Sequence, residues 1–156
     1  MKQLTGDDWR NLRLVRLSAL ADSPSAFGSR LEEEERLDDT DWRKWADSGS
    51  VFIASENGSP VGMVAALDGD SPAERRLVAL WVHPDHRAHG VASALIWHVE
   101  DWARRQGADR LTLWVAHSNE AARRLYLLRG YKNTGNRKSL PSDPAVEEDQ
   151  MWLALC

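Results

Sequence analysis

Leu77-Val78-Ala79-Leu80-Trp81-Val82-His83-Pro84-Asp85-His86-Arg87-Ala88-His89-Gly90-Val91-Ala92-Ser93-Ala94-Leu95 is an apolar run that breaks at a His-Pro turn. It crosses a short basic stretch holding one glycine and re-enters as an amphipathic helix. A strand that ends in a glycine-containing loop and continues as a helix aims a row of free backbone N–H groups, and the positive end of the helix dipole, at one point. Such a point suits a phosphate. Past the loop, Val91, Ala94, Leu95, Val99, Trp102 and Ala103 recur at three- and four-residue spacing, which predicts one apolar helix face. Glu100, Asp101, Arg104 and Arg105 are expected on the opposite, solvated face, with Gly107 as a left-handed cap.

The spacing within the loop narrows the ligand. Neither G-x-G-x-x-G nor G-x-x-x-x-G-K-S/T, the dinucleotide and nucleotide-triphosphate loops, occurs anywhere in the chain. Arg87-Ala88-His89-Gly90-Val91-Ala92 instead fits R/Q-x-x-G-x-G/A. In this the chain resembles the GNAT superfamily of acetyl-CoA-dependent N-acetyltransferases, whose pyrophosphate loop has that form. The resemblance covers nearly the whole length, beginning with Ala26-Phe27-Gly28 in an N-terminal helical segment, a hairpin around Asn57-Gly58 and the strand end Leu80-Trp81-Val82-His83-Pro84. After the loop and its helix come a strand from Arg110 to Ala116, Asn119 with Ala122 and Leu125-Tyr126, Gly130-Tyr131, and a closing Met151-Trp152-Leu153 strand. Two residues depart from the pattern: the family usually has glycine where Ala88 stands, and often where Ala92 stands.

The resemblance implies an α/β fold with a mixed, mostly antiparallel sheet of about six to seven strands, splayed at the fourth and fifth, and helices on both faces. It also implies acetyl-CoA as cosubstrate and a small-molecule or peptide amine as acceptor. Leu80, Trp81 and Val82 match the strand end along which the pantetheine arm pairs, a backbone N–H at or near Val82 facing the thioester oxygen. Arg87, Ala88, His89, Gly90, Val91, Ala92 and Ser93 match the loop that holds the pyrophosphate. Asn119 matches an asparagine that bonds the pantetheine arm or an ordered water, although a plain helix cap reads the same. Tyr126 matches the tyrosine beside the sulfur. Phenol and thiol acidities, about 10 and about 8.5, are close enough for it to protonate the departing thiolate. Its alternative role is that of a buried helix tyrosine beside Leu125. Where many relatives carry a glutamate, near the start of the fourth strand, this chain has Arg76, with Glu74 two residues earlier. No general base is identified: waters leading to Glu74, Glu34 or a histidine would serve, as would an amine that arrives neutral.

Composition agrees with one domain over residues 1–156, since a chain of 156 residues with 42% apolar content can bury a proper core. A net charge of -4 argues against a nucleic-acid partner, whose footprint would be a clustered basic excess. The apolar stretches are too short to span a bilayer, and Met1-Lys2-Gln3 is followed by polar residues, so no membrane role and a cytoplasmic location are expected. Cys156 is the only cysteine, so no disulfide framework is expected, and a nucleophile on the last residue is not anticipated. His83, His86 and His89 recur every three residues, but Pro84 breaks any helix that would make them converge on zinc, so no metal is expected. His86 and His89 are expected beside the pyrophosphate with Arg87.

Along the rest of the chain, Thr5 or Asp7 is expected to cap a helix through Trp9, Leu12, Arg16 and Leu20, which Asp22-Ser23-Pro24 stops. Glu32 to Glu35 form either a solvated helix face or an acidic rim, and Asp38-Asp39-Thr40-Asp41 prepares a further helix at Trp42 to Trp45. Val51 to Ala54 and Val61 to Leu67 flank Asn57-Gly58 as a hairpin. Ser139 to Asp149, rich in Pro, Asp and Glu, is expected as a mobile loop near the site. Acceptor specificity is expected in the segments from Phe27 to Trp45 and from Arg137 to Glu148, where Trp42, Trp45 and Trp81 could wall a pocket for a flat or cationic acceptor. The reading is an N-acetyltransferase acting by direct attack in a ternary complex. Its alternatives are an acetyl-CoA-binding sensor or assembly module with little turnover, and a phosphate-loop protein for another nucleotide. A homodimer pairing through an exposed C-terminal strand is left open.

Overall fold

The computed structural model describes residues 1–155; Cys156, and the reading of it as a terminal thiol, lies outside the described residues. Thr5 opens a 3-10 turn, its N–H donating to Asp8 Oδ2 at 2.9 Å, that runs into α1 (Trp9–Asp22). Pro24, lacking an N–H, follows where α1 ends. A short α2 (Leu31–Glu35) leads to α3 (Asp39–Ala46), whose start is a reciprocal cap between Asp38 and Asp41 at 2.9 and 3.2 Å. Strands β1 (Lys2–Gln3), β2 (Val51–Glu56), β3 (Ser59–Asp68) and β4 (Glu74–Val82) form the first half of the sheet. Asn57 and Gly58, with φ of 52° and 82°, make the expected hairpin turn. Then come α4 (Val91–Arg105), β5 (Arg110–Ala116), α5 (Glu120–Leu128), β6 (Lys132–Leu140) and β7 (Asp143–Ala154).

The seven strands form one sheet in the order β1-β2-β3-β4-β5-β7-β6, antiparallel except at β4-β5. Period-two alternation divides the apolar residues between its faces. Phe52, Val64, Ala66 and Leu77 meet Leu95, Ile96 and Val99 of α4 and Tyr126 of α5. Val51, Ile53, Met63 and Ala65 meet Leu12, Val15 and Ala19 of α1 and Trp42 of α3. Helices therefore cover both faces.

The sheet is not continuous at its middle. β4 pairs with β5 only over Glu74–Arg76 against Arg110–Thr112. Ala79 holds φ 59°, and the β3–β4 register slips between Met63 and Ala65, so a bulge turns β4 away from its parallel neighbour. Leu77 to Val82 is left without a partner on the β5 side.

Three expectations are corrected. Ser139 to Asp149 is not a loop: it is the end of β6, a turn at Pro141-Ser142 and the first half of β7. β6 is an edge strand with nearly every side chain exposed, so no apolar alternation marks it. The closing strand around Met151-Trp152-Leu153 belongs to β7, which lies between β5 and β6 and offers no free edge to a second copy. Glu100, expected in solvent, is buried where α4 meets the end of α5. It accepts from Arg129 Nη2 at 2.6 Å and from the Tyr131 hydroxyl at 3.0 Å.

Candidate active site

Two clefts open where β4 and β5 diverge, each lined by residues of both strands. The first, about 640 Å³, is lined by Leu80, Trp81 and Val82, by Arg87, Ala88 and Gly90, by Val91, Ala92 and Ser93, and by Asn119 with Ala122 and Leu125. Within α4 the first helical bond runs from the Ala94 N–H to Gly90 O at 3.1 Å. The N–H groups of Val91, Ala92 and Ser93 thus have no intrahelical acceptor and stand at the positive end of a helix of 15 residues. Gly90, with φ 82°, makes the turn into the helix, and a Cβ there would meet nothing within 4 Å. Ala88 takes the same left-handed region at φ 64°, where an L residue is strained.

Arg87 is anchored. Its Nε donates to Val82 O at 2.9 Å and its Nη2 to Asp22 Oδ2 at 2.7 Å. The Trp81 indole N–H donates to the same oxygen at 2.9 Å. The Trp81 bond, then the one from Ser23, then Arg87 pull the Asp22 carboxyl down to about 2, so it is charged at any working pH. The last turn of α1 is thereby tied to the end of β4 and to the loop.

Asn119 caps α5, its side chain accepting from the Ala122 N–H at 3.2 Å. Tyr126 lies one turn beyond Ala122, buried edge-on against Tyr131 at 5.5 Å, and lines neither cleft. Burial pushes its phenol above the usual range, so it stays protonated. Of the three histidines, His86 lines the first cleft and pairs with Glu56 at 2.8 Å, while His83 Nδ1 accepts from the Asp85 N–H at 3.1 Å. His89 is exposed and lines neither cleft. Among the described residues no three His, Cys, Asp or Glu side chains converge on a metal-sized site.

The second cleft, about 690 Å³, shares only Ala26 and Phe27 with the first. Arg16 binds Glu34 through two hydrogen bonds, at 2.8 and 2.9 Å, and its guanidinium lies 5.0 Å from the Phe27 ring and 5.5 Å from that of Trp45. Lys138 sits 4.5 Å over the ring of Trp114. The aromatic wall thus already carries two resident cations. Trp42 is wholly buried behind Trp45, and Trp81 faces the first cleft, so only Trp45 of the three expected tryptophans lines the second. Of the four consecutive glutamates, Glu34 is buried against Arg16 and the others are exposed.

Arg76 lines the second cleft with its Nε buried and unpartnered, its Nη2 donating to Asp70 at 3.2 Å. Glu74 is spent on structure, accepting from the Asp70 N–H at 3.1 Å and the Thr112 hydroxyl at 3.4 Å, and it lines neither cleft. Glu148 of β7 does line the second cleft, only 6% exposed, 4.0 Å from Lys138. Burial raises its carboxyl above the ordinary range and Lys138 partly offsets this. The turn between β6 and β7 docks on the segment after α1: Ser142 Oγ donates to Phe27 O at 2.6 Å and Arg30 Nη2 to Ser142 O at 3.0 Å. Sequence reasoning missed Trp114 and Asp22 as site residues, and reached Glu148 only as the end of a specificity segment. For Glu148 a signal existed, because Val146 to Asp149 runs straight into the apolar Met151-Trp152-Leu153, as an antiparallel strand entering the sheet would.

The sequence model of the Acetyltransferase (GNAT) family matches residues 16–131. An uncharacterized N-acetyltransferase of Methanocaldococcus jannaschii is 32% identical over 103 residues, 58% of this chain and 46% of that protein. N-acetyltransferase 8 of Homo sapiens is 37% identical over 95 residues, 58% of this chain and 42% of its own length. The chain thus spans under half the length of these curated relatives. Among solved structures, yncA of Salmonella typhimurium, designated an acetyltransferase and solved with its cofactor acetyl-CoA, superposes with a TM-score of 0.81 at 20% identity, covering 99% of this chain and 92% of that one. The ribosomal-protein-alanine N-acetyltransferase of Brucella melitensis gives a TM-score of 0.79 at 16% identity, covering 98% of both chains. These low-identity likenesses concern the fold, but the family match covers well over half of the sequence: the chain belongs to the GNAT acetyltransferase family.

Proposed function

We propose that the protein transfers an acetyl group from acetyl-CoA to a primary amine by direct attack in a ternary complex. The observation that carries this reading is the pair of clefts meeting at Ala26 and Phe27 where β4 leaves β5. One end of the first cleft suits a pyrophosphate, through the unpaired N–H groups of Val91, Ala92 and Ser93 and the turn at Gly90. The unpaired β5-facing edge of Leu80 to Val82 suits an extended arm that pairs as a strand would, with an N–H near Val82 for the developing oxyanion. Acetyl-CoA, when bound, supplies the activated acyl group. The chain's own residues hold it, admit the amine from the second cleft and manage two protons. Asn119, beside Ala122 in the first cleft, would orient the arm. Tyr126, protonated and one helical turn beyond the cleft-lining Ala122, would donate to the departing thiolate.

Calorimetric titration with acetyl-CoA, with ATP as the control, tests the cofactor half. Saturable binding of acetyl-CoA alone supports the reading, and its absence at millimolar concentration in a folded sample removes it. Tyr126→Phe tests the chemistry. Turnover should fall by about 10²-fold with acetyl-CoA affinity unchanged; unchanged turnover would return Tyr126 to a packing role beside Tyr131.

A further inference from the structure

We propose that Glu148 accepts the proton that the acceptor's ammonium group must lose, from the second cleft, on the far side of β5 from β4. The inference rests on the acetyl-transfer reading. It answers a question left by Arg76, which occupies the strand position where a carboxylate base was sought and carries the wrong charge for the task. Glu74 and Glu34, the other carboxylate candidates, are committed to Thr112 and the Asp70 N–H, and to Arg16.

Glu148 has the placement that they lack. It is the register partner of Ala116 on β5, and Ala116 lines the first cleft while Glu148 lines the second. The carboxylate therefore stands across a single strand from the cleft assigned to the acyl donor. The charged groups that share its cleft are Arg16 of α1, Glu33 and Glu34 of α2, Arg76 of β4 and Lys138 of β6. Arg16 and Glu34 neutralise each other, Glu33 is exposed, and Arg76 turns to Asp70. Only Lys138, 4.0 Å away, holds Glu148 charged against its burial. A carboxylate raised by desolvation is a stronger base than one in water.

The proton count closes. The ammonium gives one proton to Glu148, and the freed lone pair forms the C–N bond at the thioester carbonyl carbon. The C–S bond then breaks, the second nitrogen proton balances the thiolate's conversion to thiol, and Glu148 releases its proton to solvent. The products are an amide, a free thiol and one proton.

The test compares wild type with Glu148→Gln on a panel of the twenty L-amino acids, spermidine and a tetrapeptide with a free N-terminal alanine, reading thiol release against pH. Acetyl-CoA titration is run on both proteins. The expected result is unchanged acetyl-CoA affinity and a fall in kcat/KM of about 10²-fold at neutral pH. In the wild type, kcat/KM should rise through an acid limb to a plateau. In the variant the plateau should vanish, the rate climbing tenfold per pH unit toward the acceptor's own pKa, because only amine already neutral can react. Lys138→Met, which leaves the carboxyl in place, should move the wild-type acid limb to higher pH and serves if the glutamine variant does not fold. Equal pH profiles in wild type and Glu148→Gln, or an acid limb indifferent to Lys138, would overturn the role of Glu148 and leave acetyl transfer standing. A wild type that binds acetyl-CoA yet turns over no amine would overturn both.

Discussion

Two alanines show how the site is shaped by single backbone angles. Ala79 and Ala88 both lie at positive φ, 59° and 64°, where an L side chain costs about 1–2 kcal/mol. At Ala79 the angle belongs to the bulge that opens the sheet. At Ala88 it sits in the loop that leads into α4, at a position where the family resemblance leads one to expect glycine. Replacing Ala88 by glycine removes that strain but enlarges the unfolded ensemble, at about 0.4–1 kcal/mol. The strain is the larger of the two. Ala88→Gly should therefore stabilise by up to about 1 kcal/mol, a melting temperature higher by about 2–4 °C. Thermal denaturation checks this, and a lower melting temperature would mean that the methyl group makes a contact that outweighs its angle.

At the scale of elements, what could be read in advance followed the strength of the local pattern. The stretch from Leu77 to Ala103 announced strand, loop and helix, because a buried strand and an amphipathic helix each impose a period on their apolar residues. β6 and the start of β7 impose none: β6 is an edge strand, wet on both faces, and Pro141, Pro144 and the acidic run read as a loop. Glu148 was hidden by that misreading, because the run from Val146 to Leu153, which is one strand, was divided between a loop and a closing strand. Glu100 was misplaced for a related reason, because the groups that meet it, Arg129 and Tyr131, come from the turn between α5 and β6, 29 and 31 residues further along the chain. This cluster joins α4 to the junction of α5 and β6, and with it the helix that carries Asn119 and Tyr126. Glu100→Gln would leave the Arg129 guanidinium without its counter-charge. The cost should be about 3 kcal/mol, at the low end for a broken buried pair because Arg129 is partly exposed. In chemical denaturation the double variant Glu100→Gln with Arg129→Met should recover part of that loss; purely additive losses would show the pair to be uncoupled.

At the scale of the molecule, the site is the sheet's own weak seam. Every other pair of neighbouring long strands is joined along much of its length, but β4 and β5 share three register pairs, Glu74 to Arg76 against Arg110 to Thr112. Beyond them the halves are held by α4, which packs on β2, β3, β4 and β5, and by the segment after α1 that crosses to β5. An arm that pairs with Leu80 to Val82, while its pyrophosphate engages Val91 to Ser93, would supply the missing strand and clamp both halves. Acetyl-CoA at about 100 times its dissociation constant should add about 2.7 kcal/mol. That corresponds to a melting temperature higher by about 5–10 °C for a chain of this size. The transition should remain single, as expected of one domain, and amide exchange should slow chiefly at Leu80 to Val82 and Val91 to Ser93. Protection confined to the loop, with the strand edge exchanging as before, would mean that the ligand is held by its phosphates alone. The gap between β4 and β5 would then need another occupant.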